Sequence, residues 1–167
     1  VGNLNVSYSS PLAVQALTVP AHPKGAFCGA HPPVMALVAD TAHRQILHEI
    51  QRDPTTETGG ILVGRWTGVN EVSIDMASEP GPNAARNASY FSRDTEHCQR
   101  ILEDLQSRDS NNRYVGEWHY HPSGTGVPSS QDLASLSAIA GDEKYLVDKP
   151  VMIIATADKV LSCTVHP

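Results

Sequence analysis

The sequence predicts a single α/β (α+β) domain, and three observations support this prediction. A chain of 167 residues is long enough for one domain with a real hydrophobic core and too short for two domains of usual size. Several short stretches alternate apolar and polar residues, or are rich in β-branched and aromatic residues, which is typical of strands. Between these stretches lie segments with apolar residues at helical spacing.

Residues 1–32 differ in composition from the rest and are expected to form an extended arm or tail before a domain of residues 33–167. They are rich in small, polar and proline residues and lack helical periodicity, with short strands expected within 12–19. Two interpretations stay open: the arm covers a sheet edge, or residues 24–30, a run of mostly small residues, imitate a substrate or product tail supplied in cis. Because the chain begins with Val1, the arm need not be a natural start.

The domain is expected to begin with a strand and a helix. Val34 to Val38 is a short apolar strand, and a helix capped by Asp40 or Thr41 follows, running to about residue 52. His43 and His48 lie five positions apart in this helix, which places them on different faces. They are therefore interpreted as surface or packing residues.

Four further elements are predicted before the centre of the chain. Residues 59–66 and 69–78 form a hairpin in which apolar and polar residues alternate. The glycine-rich and proline-rich stretch 80–92 is a loop whose length indicates a functional rim. Residues 93–108 form an amphipathic helix in which Cys98 is a small core residue.

The second half of the chain is expected to contain a strand, a helix and a closing hairpin. Val115 to Tyr120 is rich in residues that suit a pleated, half-buried surface. A helix at residues 129–141 follows a turn with two glycines, and residues 151–157 and 160–165 form the closing hairpin.

The strand at residues 115–120 presents a candidate metal site. Alternate side chains of a strand share a face, so His119 and His121 point the same way. Asp132 falls in the first turn of the next helix, where it can reach back toward them. Two imidazole nitrogens, one carboxylate oxygen and an open position are typical of a catalytic zinc site. Two alternatives remain: the histidines are ordinary residues, and Ser129 with Asp132 forms only a helix capping box.

Composition excludes several other classes. A net charge of −6 without a basic run argues against nucleic acid or an anionic membrane as the main partner. Three cysteines without a close pair favour neither a disulfide framework nor a cysteine-based zinc site. No apolar stretch approaches membrane-spanning length and no signal peptide is visible, so a cytoplasmic location is expected.

The motif His119-x-His121, followed by seven residues and Ser129-x-x-Asp132, resembles the JAMM motif of the JAB/MPN+ metalloprotease family. The second half of that signature is a glutamate on an earlier strand, and residues 57–64, Glu-Thr-Gly-Gly-Ile-Leu-Val-Gly, resemble it. The resemblance covers about residues 33–165. It implies a JAB/MPN domain with a mixed, curved β-sheet flanked by about three helices.

The lead-in Gly-Glu-Trp-His at residues 116–119 resembles the bacterial JAB branch found beside ubiquitin-activating-like and conjugating-like enzymes. RadC-like proteins share the His-x-His-Pro-Ser-Gly stretch. The Glu-x-Gly-Gly strand and the Gly-Glu-Trp lead-in favour the peptidase.

The resemblance implies a role for each residue of the motif. His119, His121 and Asp132 would hold one Zn²⁺ per chain, and Glu57 would relay the proton of the attacking water to the leaving amine. Ser129 would donate a hydrogen bond to the developing oxyanion.

Three more residues are expected near this site. Glu117 shares the strand face of His119 and His121, so it is open to three roles: base, fourth ligand, or a supporting partner of a ligand. The supporting role ranks first. Gly59 and Gly60 let another backbone, or a bound peptide, come close.

The resemblance also implies the reaction. Enzymes of this kind hydrolyse peptide or isopeptide bonds after the extended tail of a ubiquitin-like or otherwise conjugated protein. For the bacterial branch, the expected setting is an anti-phage (CBASS-type) operon, and the conjugate a CD-NTase-type nucleotidyltransferase. Two alternatives are a JAB peptidase that processes a sulfur-carrier protein, and a non-catalytic MPN scaffold without zinc.

Overall fold

The computed structural model describes residues 12–18, 34–159 and 161–166. Within them the chain forms nine strands, three α-helices and one 3₁₀ turn. In chain order these are β1 (Leu12–Thr18), β2 (Val34–Val38), α1 (Asp40–Arg52), β3 (Thr58–Gly68), β4 (Glu71–Ala77), β5 (Ala85–Asn87), β6 (Tyr90–Ser92), α2 (Thr95–Arg108), β7 (Arg113–His121), α3 (Ser130–Ala140), the 3₁₀ turn (Glu143–Tyr145), β8 (Val151–Thr156) and β9 (Leu161–Val165).

Seven of the strands form one mixed sheet in the order β1-β2-β4-β3-β7-β8-β9, and the sheet closes into a barrel. Strand β1 closes it, because it pairs antiparallel with β2 and parallel with β9. The predicted mixed, curved sheet with three helices is confirmed, and closure goes beyond the prediction. The hypothesis that residues 24–30 imitate a substrate or product tail concerns residues outside those that the structure describes. No helix of the described residues is long and apolar enough to cross a membrane.

The main core lies where the inner face of the sheet packs against α1. Ala42, Ile46 and Ile50 of α1 are buried there. Trp118 and Tyr120 of β7 are completely buried in the same cluster. Burying a large aromatic side chain stabilises a fold by about 2–3 kcal/mol, so β7 is anchored through the face opposite to its histidines.

Strand β7 contains a β-bulge that determines which side chains share a face. Leu62 of β3 pairs with Gly116 and Val63 pairs with Tyr114, so Val115 has no partner residue on β3. An extra residue shifts the alternation of side chains by one position. As a result Tyr114 lies on the same face as Glu117, and its hydroxyl donates to the Glu117 carboxylate over 3.2 Å.

The bounds of several elements differ from the sequence prediction by one or two residues, and two local features differ in kind. Residues 80–92, expected to be a loop, contain the hairpin β5–β6, whose strands of three residues are too short to produce a readable periodicity. Helix α1 is capped by Ala39 without a side-chain hydrogen bond, and not by Asp40 or Thr41. The Thr41 hydroxyl instead donates to the Asp75 carbonyl over 2.7 Å.

We expect Gly116→Ala to destabilise the fold by about 2–4 kcal/mol, because a side chain there is both strained and obstructed. Gly116 has a φ of +154°, and a Cβ would overlap the Val151 carbonyl of β8. Chemical denaturation measures the change. Gly68→Ala is the matched control, since a Cβ at Gly68 meets nothing within 4 Å. Equal stability of the two variants would contradict the strain and the close contact with β8 that are assigned to Gly116.

Candidate metal centre

Three potential metal ligands converge where β7 ends and α3 begins. His119 Nδ1 lies 2.8 Å from Asp132 Oδ1, and His121 Nε2 lies 3.5 Å from Asp132 Oδ2. One ligand atom from each of the three residues lies within 4.8 Å of the others. All three side chains are at most 14 % exposed. Strand alternation therefore places the imidazoles together, and the turn after β7 returns the carboxylate to them.

Asp132 is both a helix-capping residue and a member of the cluster. Its backbone N–H donates to Ser129 Oγ over 3.1 Å, and its Oδ2 accepts from the Ser129 backbone N–H over 2.7 Å. The sequence had left capping and ligation as alternatives. The capping box is present, and the same carboxylate lies close enough to both imidazoles to be a ligand. The capping bonds hold the carboxylate toward the imidazoles. Burial raises the pKa of Asp132, but the hydrogen bonds with His119 and Ser129 outweigh it and leave the pKa well below its usual range.

The His119 ring is enclosed on three sides. Asp132 faces Nδ1, the Glu117 carboxylate lies 3.6 Å from Nε2, and the Phe91 ring meets it edge-on with centroids 5.4 Å apart. Burial lowers the pKa of His119, while Asp132 and Glu117 together raise it to about 9. The ring thus has a carboxylate beside each of its two nitrogens.

Glu57 immediately precedes β3 and lines the same cavity as the cluster. The cavity has a volume of about 510 Å³ and is also lined by His119, His121, Ser129 and Asp132. The Glu57 backbone N–H donates to the Asn87 carbonyl over 2.8 Å, which ties it to the hairpin β5–β6. Burial is the main cause that raises the pKa of the Glu57 carboxyl above its ordinary value.

Gly59 and Gly60 occupy places where backbones pack closely. A Cβ on Gly59 would overlap the Trp118 carbonyl and come within 2.7 Å of the Phe91 ring. A Cβ on Gly60 would overlap Ser78. The two glycines therefore let β3 approach β7 and residue 78.

The sequence analysis missed the side chains that surround Glu117 and His119. Phe91 packs against His119, and Arg93 forms an ion pair with Glu117. Tyr145 accepts a hydrogen bond from Arg93 over 3.2 Å. A carboxylate inside an apolar strand does signal that a cation must pair with it, but nothing local to β7 indicates which cation.

The donor set fits a small divalent cation. Two imidazoles and one carboxylate, partly buried and converging at ligand distances, are a combination that holds a catalytic metal with a position left open. A carboxylate in the same cavity is available for proton transfer. Fold and site together define a metal-dependent hydrolase.

The comparison with known families agrees with the geometry. The chain belongs to the family of prokaryotic homologs of the JAB domain, which matches residues 40–164. The predicted family is thereby confirmed, and with it a hydrolytic enzyme of the metalloprotease type that depends on a metal ion.

Several relatives match between 64 % and 78 % of this chain. A CD-NTase/cGAS isopeptidase of Enterobacter hormaechei is 29 % identical over 78 % of this chain and 74 % of its own length. A probable metalloprotease of Sinorhizobium fredii is 30 % identical over 73 % of this chain and 76 % of its own. A CD-NTase/cGAS isopeptidase of Vibrio cholerae is 33 % identical over 64 % and 65 %.

The fold is also found among solved structures. The solution structure of protein DSY2949 from Desulfitobacterium hafniense is similar, with a TM-score of 0.55 over 77 % of this chain and 81 % of that one. Identity is 20 %, so this similarity supports the fold alone.

Proposed function

We propose that the protein is a zinc-dependent isopeptidase that hydrolyses the bond after the C-terminal tail of a conjugated protein. The observation that carries this proposal is the convergence of His119, His121 and Asp132 in one cavity with Glu57. Nitrogen and oxygen donors in a three-residue site favour zinc over magnesium or calcium, which prefer sites built of oxygen atoms.

Glu57 is the proposed catalytic base. Zinc, when bound, supplies a Lewis acid that lowers the pKa of a water and polarises a carbonyl. The Glu57 carboxylate accepts the proton from the attacking water and delivers it to the departing amine. Its half-buried position raises its pKa, which makes it a better proton acceptor than a fully exposed glutamate.

Ser129 is the proposed donor to negative charge that develops on the scissile carbonyl oxygen. Its Oγ accepts the hydrogen bond of the helix cap, and a hydroxyl that accepts a bond still has its own proton to donate. The cap also holds the side chain on the cavity wall. A donor fixed in advance lowers the barrier because it needs no reorganisation during the reaction.

We infer that the cavity is a groove for an extended chain. It is lined by residues 88–91 at the tip of the hairpin β5–β6, by residues 123–125 and 127, and by the first turns of α3. Many of the lining side chains are small, and the exposed side chains of Val127 and Tyr90 contribute apolar surface. An extended peptide with small side chains fits such a groove, as strand-like peptides do in other recognition sites.

The names of the relatives indicate the substrate class. Isopeptidases that act on CD-NTase or cGAS proteins are among the relatives of this chain. We therefore propose a CD-NTase-type nucleotidyltransferase, joined through its C-terminus, as the conjugate. Processing of a sulfur-carrier protein uses the same site chemistry and is distinguished by the test below.

The test is cleavage of a CD-NTase-type nucleotidyltransferase joined through its C-terminal carboxyl group to a lysine amine of a carrier protein. We expect release of the nucleotidyltransferase with its native C-terminus, identified by mass spectrometry. Chelation should stop the reaction, and Zn²⁺ should restore it. The protein purified without chelator should hold about one zinc per chain.

Two results would contradict the proposal. Trimming of a sulfur-carrier protein without cleavage of the conjugate would assign the enzyme to the alternative substrate. Substoichiometric zinc together with no cleavage of either substrate would show that the site is not catalytic.

A further inference from the structure

Glu117 is a buried carboxylate beside the metal centre that none of the proposed catalytic steps uses. It is 4 % exposed, its Oε2 lies 3.6 Å from His119 Nε2, and its Oε1 accepts from the Tyr114 hydroxyl. Burying a charged group is costly unless an opposite charge and hydrogen bonds compensate it. The carboxylate therefore needs a cation to stay in this position.

Arg93 is that cation. It lies in the short connection between β6 and α2, and its guanidinium forms an ion pair with Glu117 Oε1. The second terminal nitrogen donates to the Tyr145 hydroxyl over 3.2 Å. Burial lowers the pKa of Arg93, but the Glu117 carboxylate together with Tyr114 and Tyr145 outweighs it and leaves the pKa above its usual range. Within the described residues, Arg93 and His119 are the basic side chains paired with Glu117.

We propose that Arg93 is a positioning residue of the metal centre, which acts on the ligand His119 through Glu117. The ion pair holds the carboxylate on the Nε2 side of the ring, so that Nδ1 stays turned toward Asp132. A carboxylate held beside the second nitrogen of a ligand histidine orients the ring and strengthens the ligand, and Glu117 lies 3.6 Å from His119 Nε2. This inference rests on the proposed zinc site and adds the residue that supports it from another element.

The geometry favours this role over simple cross-linking of the core. An ion pair that only attached the connection between β6 and α2 to the sheet could use any residue of β7 that this connection approaches. This pair instead ends on Glu117, a carboxylate that faces His119 Nε2 and is not itself one of the three proposed ligands. Tyr114, which the bulge of β7 turns to the same face, supplies the second contact to the same oxygen. Arg93 and Tyr114 thus both orient the carboxylate toward His119.

The experiment measures the zinc dissociation constant of the full chain by chelator competition. We expect Arg93→Met to weaken zinc binding about 10-fold or more, as changes to groups that support a ligand do. Arg93→Lys keeps a cation at this position and should recover most of the affinity. In a Glu117→Gln background, Arg93→Met should have less than about a threefold further effect, because residues acting along one path are not additive.

The controls separate positioning from general stability. Arg65→Met removes an ion pair between Arg65 and Asp75 on the exposed surface and should leave zinc affinity unchanged. If Arg93→Met does not fold, Arg93→Gln replaces it, because its side chain is polar but uncharged and cannot form the ion pair with Glu117; the same loss of zinc affinity is expected. The absorption spectrum of Co²⁺-substituted protein gives a second readout of ligand geometry, and it should change in the same variants.

The outcomes distinguish this inference from the proposed function. If the wild-type chain binds no zinc, the proposed function fails. If the wild type binds zinc and the uncharged Arg93 variant binds it equally well, only the role of Arg93 fails. A full additional loss in the Glu117→Gln background would also overturn it, since Arg93 would then act by another path.

Discussion

Glu57→Gln is expected to reduce turnover by about 10³-fold or more while the protein still binds about one zinc per chain. The amide is nearly isosteric with the carboxylate, so the cavity keeps its shape, but it cannot accept and return a proton. Turnover of the conjugate and zinc content of the same preparation are the two measurements. The pKa of Glu57 is raised, so its carboxylate becomes protonated at a higher pH than an ordinary glutamate does. As the pH is lowered, wild-type activity should therefore begin to fall above the ordinary pKa of a glutamate.

Glu117→Gln is the comparison that makes this result specific. It changes another carboxylate near His119 in the same way, yet some activity should remain because Glu117 supports a ligand and does not transfer the proton. Turnover that survives in the Glu57 variant and vanishes in the Glu117 variant, with zinc bound in both, would reverse the two assignments.

Asp132→Asn is expected to weaken zinc binding by more than about 100-fold and to abolish turnover. Loss of a group that merely supports a ligand already costs about 10–100-fold in metal affinity, and Asp132 is proposed to provide a ligand oxygen itself. The substitution removes the negative charge that faces both imidazoles. Metal analysis after dialysis and chelator competition measure the effect.

Ser129→Ala separates the ligand role of Asp132 from its capping role. It breaks the helix cap, at a cost of about 1 kcal/mol in unfolding free energy, but removes no ligand. Zinc should therefore remain bound, while turnover should fall by about 10²–10³-fold through loss of the proposed donor. If Ser129→Ala lost zinc as completely as Asp132→Asn, the metal loss would reflect damage to α3 rather than a missing ligand.

Much of the fold could be predicted because its signals are local. Helix α1 was expected to run to about residue 52 and ends at Arg52. The apolar stripe of α2 correctly indicated that Cys98 is a core residue. The hairpin β5–β6 was not predicted, since its strands are stabilised by a few backbone bonds and by the surface beside Glu57 rather than by their own sequence pattern.

The candidate site likewise contains some residues that local sequence patterns predict and others that they do not. The pair His119 and His121 follows from the twofold repeat of a strand, and Asp132 follows from its distance to a helix start. Glu57 could be assigned only through the resemblance. It lies 62 residues before His119, and no local pattern links residues so far apart in sequence. The alternation of side chains along a strand also predicted that Glu117 lies on the same face as the two histidines.

The amino-acid sequence by itself therefore determined the family, the order of the helices and the longer strands, and the residues expected to bind the metal. Only the tertiary structure decided which distant groups support them. The bulge at Val115 turns Tyr114 to the face of Glu117, and the connection after β6 brings Arg93 to the same carboxylate. The reason is physical: periodicity and capping depend on neighbours in sequence, whereas compensating a buried charge depends on whatever residue the packed fold brings beside it.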